Sequence, residues 1–126
     1  MSNGYVRDLM IYYYGEKCWL GGVVSPSNPL TYHHIKPVRE GGRTTMENGA
    51  LLSLRMHELF NILESQNQEL ADEINSYFLI YRGTYPDVVY FRIKEIMSGI
   101  DLDYKPKYKN QRKISNYKKC LRKRRR

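Results

Sequence analysis

Positive charge is concentrated at the carboxyl-terminal end of the chain. Positions 104–126 contain twelve Lys or Arg residues and no acidic residue, whereas residues 1–103 contain 9 basic and 13 acidic side chains. A dense block of like charge repels itself and packs poorly. We therefore expect one folded domain over residues 1–103 and a basic, disordered arm over residues 104–126. A unit of this size can bury a modest hydrophobic core.

The cysteine content and the amino-terminal sequence limit the class of protein. The two cysteines, Cys18 and Cys120, are far apart, and Cys120 lies within the basic arm. This is not the pattern of a disulfide framework, and it favours a reducing cytoplasmic environment. The first residues lack the apolar run of a signal peptide, and no apolar stretch is long enough to span a bilayer. We expect a cytoplasmic protein that does not bind a membrane.

The spacing of apolar residues predicts an α+β fold. A first helix is predicted over residues 4–14, followed by short strands over 30–35 and 50–53 that a glycine-containing loop separates. Apolar residues then recur at helical spacing up to Leu63. The order strand, strand, helix therefore occupies about residues 30–63.

Two further amphipathic helices are predicted after this core, over about residues 66–82 and 86–98. The sequence Thr84-x-x-Asp87 resembles an amino-terminal capping signal for the second of them. The domain is therefore expected to be a strand–strand–helix core with flanking helices.

All three histidines lie between positions 33 and 57. Neighbouring residues on a strand point to opposite faces, so His33 and His34 are expected to have different roles. His57 and Asn61 are four residues apart and share one face of the predicted helix. Imidazole is the commonest metal ligand and a good general base near neutral pH. This clustering indicates a metal site.

The motif around these histidines resembles that of the HNH nuclease family, whose active site is a ββα-metal core. The resemblance covers about residues 16–63 and implies a metal-dependent DNA endonuclease or nickase, of a compact phage or bacterial type. It rests on several elements that occur together, which makes it more specific than a single short motif. Those elements are His33-His34-Ile35-x-Pro37, Gly41-Gly42, Asn48 and His57.

The resemblance implies a role for each site residue. His33 and His57 would be metal ligands, and His34 would be the general base that deprotonates the attacking water. Asn48 would brace the loop and so hold His34 in register. Asn61 lies where some members have another histidine ligand. Because an amide oxygen is a hard ligand, we expect one divalent ion, Mg²⁺ or Mn²⁺ ahead of Zn²⁺.

Many relatives carry a second, structural zinc held by four cysteines, and this chain departs from that pattern. Cys18 occupies the first ligand position, whereas Gly21, Ser53 and Met56 occupy the other three. One thiolate cannot form a four-thiolate site. We therefore expect no structural zinc, with Trp19 and the helices stabilising this region by apolar packing.

The expected partner is DNA ahead of RNA, bound by a monomer or a weak dimer. A further protein partner within a larger DNA-processing assembly stays open. Basic side chains of the loop and the arm are the candidate phosphate contacts. They are Arg39, Arg43, Lys105, Lys107, Lys109, Arg112, Lys113, Lys118 and Lys119.

Two other functions stay open at this point. A catalytically silent nucleic-acid-binding protein would bind DNA in a salt-dependent way without nicking it. A docking domain would bind another protein through the helices after residue 65 and would have no affinity for DNA. Simpler roles also exist for single residues: Asn48-Gly49 is a strong turn dipeptide, and Asn61 can be a solvated helix residue.

Overall fold

The computed structural model describes residues 1–103 of the chain. Within that range, four helices surround one two-stranded antiparallel sheet. The α+β class and the ββα-metal order of strand, strand and helix are confirmed. The elements are α1 (Asn3–Tyr14), β1 (Leu30–His34), β2 (Gly49–Ser53), α2 (Leu54–Gln66), α3 (Gln68–Tyr81) and α4 (Asp87–Ser98).

The sheet is a hairpin whose register places the histidines beside the connecting loop. His33 pairs with Ala50 and His34 with Gly49, at the end of the ladder. The loop includes a short 3₁₀ turn, Val38–Glu40. Both histidines therefore lie where β1 leaves the sheet, and the loop can fold back over them.

The second strand runs directly into α2, because Ser53 ends β2 and also caps the helix. The Ser53 hydroxyl oxygen accepts a hydrogen bond from the Met56 backbone N–H at 3.3 Å. An N-cap of this kind satisfies one of the N–H groups that the first helical turn leaves unpaired. With no linker between strand and helix, His57 in the first turn of α2 is held against β1.

Helix α4 begins without the predicted side-chain cap. Pro86 occupies the N-cap position and Asp87 is the first helical residue. The Thr84 hydroxyl oxygen instead accepts a hydrogen bond from Lys17 Nζ at 3.2 Å. The capping prediction for Thr84 was therefore wrong, because Pro86 is held in an extended conformation and its carbonyl oxygen accepts from the first turn of the helix.

The hydrophobic core lies between the hairpin and the helices. Trp19 is 1 % exposed and packs edge-on against Tyr14 and obliquely against Phe78. Its backbone N–H donates to the Leu51 carbonyl oxygen at 2.7 Å, which fixes the segment before β1 onto β2. The predicted apolar packing of Trp19 against the first helix and a later helix is therefore present.

The region that resembles a zinc knuckle is packed by small and apolar side chains. Cys18 is buried and its sulfur accepts a hydrogen bond from the Ser53 backbone N–H at 3.2 Å. A Cβ at Gly22 would lie 2.5 Å from Met56 Cγ and 2.6 Å from Ser53 Oγ, whereas one at Gly21 would meet nothing within 4 Å. Gly21 has a φ of 78°, a backbone conformation that favours glycine.

Candidate active site

His33 lies on the face of β1 that packs against the helices. Its side chain is 5 % exposed, and its ring centre is 4.7 Å from that of Phe60. Its Nε2 atom is 2.9 Å from Oδ1 of Asn75 in α3. A carbonyl oxygen only accepts, so Nε2 of His33 donates the hydrogen bond. In the neutral ring the lone pair therefore lies on Nδ1.

His57 lies beside His33 and its tautomer is set by Thr31. The Thr31 hydroxyl donates to the Leu52 carbonyl oxygen at 2.7 Å, and its oxygen is 2.7 Å from Nδ1 of His57. A threonine hydroxyl has one hydrogen, so here it accepts from His57. The lone pair of the neutral His57 ring therefore lies on Nε2.

The pair formed by His33 and His57 fits a single metal ion. Their ring centres are 5.2 Å apart and the ring planes are nearly perpendicular, at 88°. With a metal–nitrogen distance of roughly 2 Å, an ion lies about 3 Å from the centre of each ligating ring. Two rings at this separation can therefore share one ion. Asn61, one turn further along α2, lines the same cleft.

These donors form a small set. Within residues 1–103, no group of three or more His, Cys, Asp or Glu side chains is arranged to hold a metal ion. Two imidazoles and one amide would leave the remaining coordination positions to water and phosphate oxygens, as in hydrolytic metal sites that keep open positions. The donor chemistry therefore fits a divalent ion bound together with its substrate.

His34 lies on the opposite face of the strand, towards the loop and α1. Its ring meets the Tyr32 ring edge-on at 4.7 Å, and its Nε2 atom is 2.9 Å from the Thr44 hydroxyl oxygen. Partial burial lowers the pKa of His34 below its usual value. Desolvation disfavours the charged ring, and this favours the neutral form that a general base needs.

Asn48 ties the two ends of the hairpin loop together. Its Oδ1 atom accepts from the Lys36 backbone N–H at 2.8 Å, and its Nδ2 atom donates to the carbonyl oxygens of Lys36 and Arg43 at 3.0 and 2.8 Å. Gly42 lies so close to Lys36 that a Cβ would be 1.8 Å from the Lys36 carbonyl oxygen. These contacts are the ones that a bracing role requires, and they extend well beyond a local turn.

Four of the residues predicted to bind the metal or to act in catalysis line one open cleft of about 430 Å³. Arg39 and the amino-terminal turn of α1 also line this cleft, whereas Asn48 lies behind the loop in a neighbouring cleft of about 580 Å³. Arg43 is exposed and lines neither cleft. The basic residues assigned to the arm lie outside the described residues. The four cleft residues are His33, His34, His57 and Asn61.

The sequence did not reveal the polar partners of the histidines. Thr31 could have been found, because it lies two residues before His33 and so shares its face of the strand. Asn75, Thr44 and Asn3 come from distant parts of the chain, and no spacing rule connects them with the histidines.

A comparison with protein families agrees with this geometry. Residues 16–55 match the family model described as HNH endonuclease. This segment of the chain is therefore similar to the HNH endonuclease family, and the resemblance recognised from the motif is confirmed over these residues. HNH proteins are nucleases, phosphodiester hydrolases that act on nucleic acid and generally use a divalent metal ion. No curated protein and no solved structure matches the chain significantly.

The match covers β1, β2 and the loop between them, and it ends before His57. Helices α1 and α3, which supply Asn3 and Asn75, lie outside it, and so does α4. In residues 1–103 no helix has the length and apolar character needed to cross a membrane.

Proposed function

We propose that this protein is a divalent-metal-dependent DNA endonuclease or nickase in which His34 is the general base. The observation that carries the proposal is the arrangement around β1. His33 and His57 lie together on one face, His34 lies on the other, and all three line one cleft. A ligand pair and a separate neutral imidazole, both within reach of one phosphodiester, are the minimum that this hydrolysis requires.

Each site residue has a distinct proposed role. His33 and His57 hold the ion through their imidazoles and Asn61 through its amide oxygen. The ion, when bound, would stabilise the negative charge on the scissile phosphate and on the departing 3′ oxygen. His34 takes a proton from the attacking water. By family resemblance, the products carry 5′-phosphate and 3′-hydroxyl ends.

The loop supports this arrangement. Asn48 connects Lys36, two residues after His34, with Arg43, next to Thr44. We propose that it keeps both sides of the His34 ring in place. Mg²⁺ or Mn²⁺ is preferred to Zn²⁺, because an amide oxygen is a hard ligand.

The DNA backbone is proposed to contact Arg39 at the cleft, Arg43 on the loop, and the lysines and arginines of the arm 104–126. Residues 1–103 carry more acidic than basic side chains. Affinity for DNA must therefore come largely from the arm. We propose a cytoplasmic nuclease that is active as a monomer or weak dimer.

Removing residues 104–126 tests the role of the arm. The truncated protein is expected to bind DNA more weakly. Each lost phosphate contact lowers the slope of log affinity against log salt by about 0.9. Titration of DNA binding at several salt concentrations measures this slope. An unchanged slope would show that the arm does not touch the backbone.

Conversion of supercoiled plasmid to nicked or linear DNA tests the activity itself. Reactions contain Mg²⁺, Mn²⁺ or Zn²⁺, with an EDTA control and with His34→Ala protein at the same concentration. The proposal predicts cleavage by the parent protein with a divalent ion, and its loss in both controls. If the protein binds DNA in a salt-dependent way but cleaves it with none of these ions, the proposal fails. The protein would then be better described as a catalytically silent nucleic-acid-binding protein.

A further inference from the structure

His34 is connected to the first residue of α1 through one hydroxyl group. Nε2 of His34 is 2.9 Å from Thr44 Oγ1, and that hydroxyl donates to Asn3 Oδ1 at 3.2 Å. Thr44 belongs to the hairpin loop, whereas Asn3 is outside the matched family segment. Three separate parts of the chain therefore meet at this ring.

The number of hydrogens available on Thr44 determines which group donates in each of these two hydrogen bonds. A threonine hydroxyl has a single hydrogen, and an amide oxygen only accepts. Because the Thr44 hydrogen points to Asn3, the Thr44 oxygen can only accept from His34. Nε2 of His34 therefore carries a hydrogen, and in the neutral ring the lone pair lies on Nδ1.

The ring is also restrained in position. It meets the Tyr32 ring edge-on at 4.7 Å. The Tyr32 hydroxyl donates to the Thr45 carbonyl oxygen at 2.6 Å and accepts from the Thr45 N–H at 3.1 Å. Thr45 is thus fixed to Tyr32, which packs against His34. These contacts keep the hydroxyl of the neighbouring Thr44 close to the His34 ring.

We infer that Thr44 and Asn3 are positioning residues that set the tautomer of His34 and so make Nδ1 the nitrogen that accepts the proton. The catalytic consequence rests on the proposed nuclease function, whereas the tautomer itself does not. If Asn3 is replaced by a residue without an acceptor, the Thr44 hydrogen can turn towards His34. The ring can then adopt the other tautomer, in which Nδ1 carries the hydrogen.

Paired substitutions separate this role from a purely structural one. Thr44→Val keeps the shape of the side chain and removes the hydroxyl, whereas Thr44→Ser keeps the hydroxyl. Asn3→Leu removes the acceptor, whereas Asn3→Asp keeps one. Loss of a group that orients a functional imidazole typically costs about 10- to 100-fold. We expect Thr44→Val to lower kcat by about this factor without changing DNA affinity, Asn3→Leu to have a smaller effect, and the Ser and Asp variants to behave like the parent protein.

The decisive experiment combines kinetics with a spectroscopic readout. The kcat and the DNA affinity are measured for the four variants, and Thr44→Val is also combined with His34→Ala. The imidazole ¹⁵N shifts of the metal-free parent protein and of Asn3→Leu are recorded at a pH where the rings are neutral. His34 is assigned from its missing signals in His34→Ala.

The inference predicts a hydrogen on Nε2 of His34 in the parent protein and a shift towards the other tautomer in Asn3→Leu. It also predicts no further loss of kcat when Thr44→Val is added to His34→Ala. A hydrogen on Nδ1 in the parent protein, or a Thr44→Val variant that folds and cuts like the parent, would overturn it. If Thr44→Val does not fold, the ¹⁵N spectra of the parent and Asn3→Leu decide. If no form cleaves DNA, the nuclease proposal fails and the spectra still test the tautomer.

Discussion

His33 and His34 are neighbours on one strand, but their side chains lie in different parts of the molecule. His33 faces the helices, is 5 % exposed, and packs against Phe60 and the fully buried Phe78. His34 faces the loop and is half-buried beside Tyr32. We call these sides the helix face and the loop face of β1.

The difference follows from what the two residues are proposed to do. A metal ligand needs a fixed position, and close packing with Phe60 and Phe78 provides it. A general base must pass its proton to solvent, so it cannot be buried as deeply. The period of two along a strand lets adjacent residues meet both requirements within one cleft. Substitutions on the helix face should therefore affect folding, whereas those on the loop face should affect turnover.

The largest expected effect is on the loop face. His34→Ala should lower turnover by about 10²- to 10⁴-fold, the usual contribution of a positioned general base. The free energy of unfolding should fall by only about 1 kcal/mol, because the ring is half-buried and its loss removes one hydrogen bond, to Thr44. Single-turnover cleavage and chemical denaturation measure the two quantities. If the variant cuts as fast as the parent protein, a residue other than His34 is the general base.

The next effect is on the helix face. Phe78→Ala removes a ring that packs against His33, Trp19 and Phe60, and should destabilise the fold by about 3–5 kcal/mol. Leu79→Ala is the matched control, since Leu79 is 53 % exposed and its loss should be nearly neutral. Thermal or chemical denaturation compares the two variants. Equal stabilities would show that the helix face is not the packed side of the sheet.

Asn75→Ala should have an intermediate effect, and this effect should be limited to the affinity for the metal ion. The hydrogen bond from His33 Nε2 to Asn75 fixes the ligand ring. Loss of such a partner typically weakens metal affinity by about 10- to 100-fold. Cleavage should recover when the ion concentration is raised. Ser76→Ala serves as the control, because the Ser76 hydroxyl donates to the Glu73 carbonyl oxygen of the same helix. If high ion concentration does not restore cleavage, Asn75 acts on something other than the metal.

The smallest expected effect concerns the support of α3 by α4. Arg92 and Tyr77 hydrogen-bond the Glu73 carboxylate and lower the pKa of Glu73. A carboxyl group whose pKa is lowered by folding stabilises the fold above its unfolded-state pKa, and this contribution is lost as the pH falls through the folded-state value. Partial exposure and salt screening keep it small.

Glu73→Gln should therefore slightly lower the melting temperature at pH 7 and leave it nearly unchanged well below pH 4. Melting curves across this pH range measure the difference between the two proteins. A difference in melting temperature that grew towards low pH would contradict this account. It would show that the contact between Glu73 and Arg92 does not stabilise the fold in the way proposed.

Much of the core could be predicted from the sequence because it depends on local periodicity. Alternation along the strand separated His33 from His34, and helical spacing placed His57 and Asn61 in the same cleft. The predicted strands and helices agree with the observed bounds to within one or two residues, except that α2 continues three residues past its predicted end at Leu63, to Gln66.

The remaining features depend on tertiary contacts. Asn75 reaches His33 because α3 packs against α2, and Asn3 reaches Thr44 because α1 crosses the loop. No repeat or motif in a single sequence predicts such tertiary contacts.

Divalent-ion binding to the metal-free protein tests the division of roles between the two faces most directly. Calorimetric titration with Mn²⁺ is carried out on the parent protein, His33→Ala and His34→Ala, and cleavage is measured on the same samples. We predict that His33→Ala loses ion affinity and cleavage together, whereas His34→Ala keeps the affinity of the parent and loses cleavage. Equal loss of affinity in both variants, or an unchanged affinity in His33→Ala, would contradict the account.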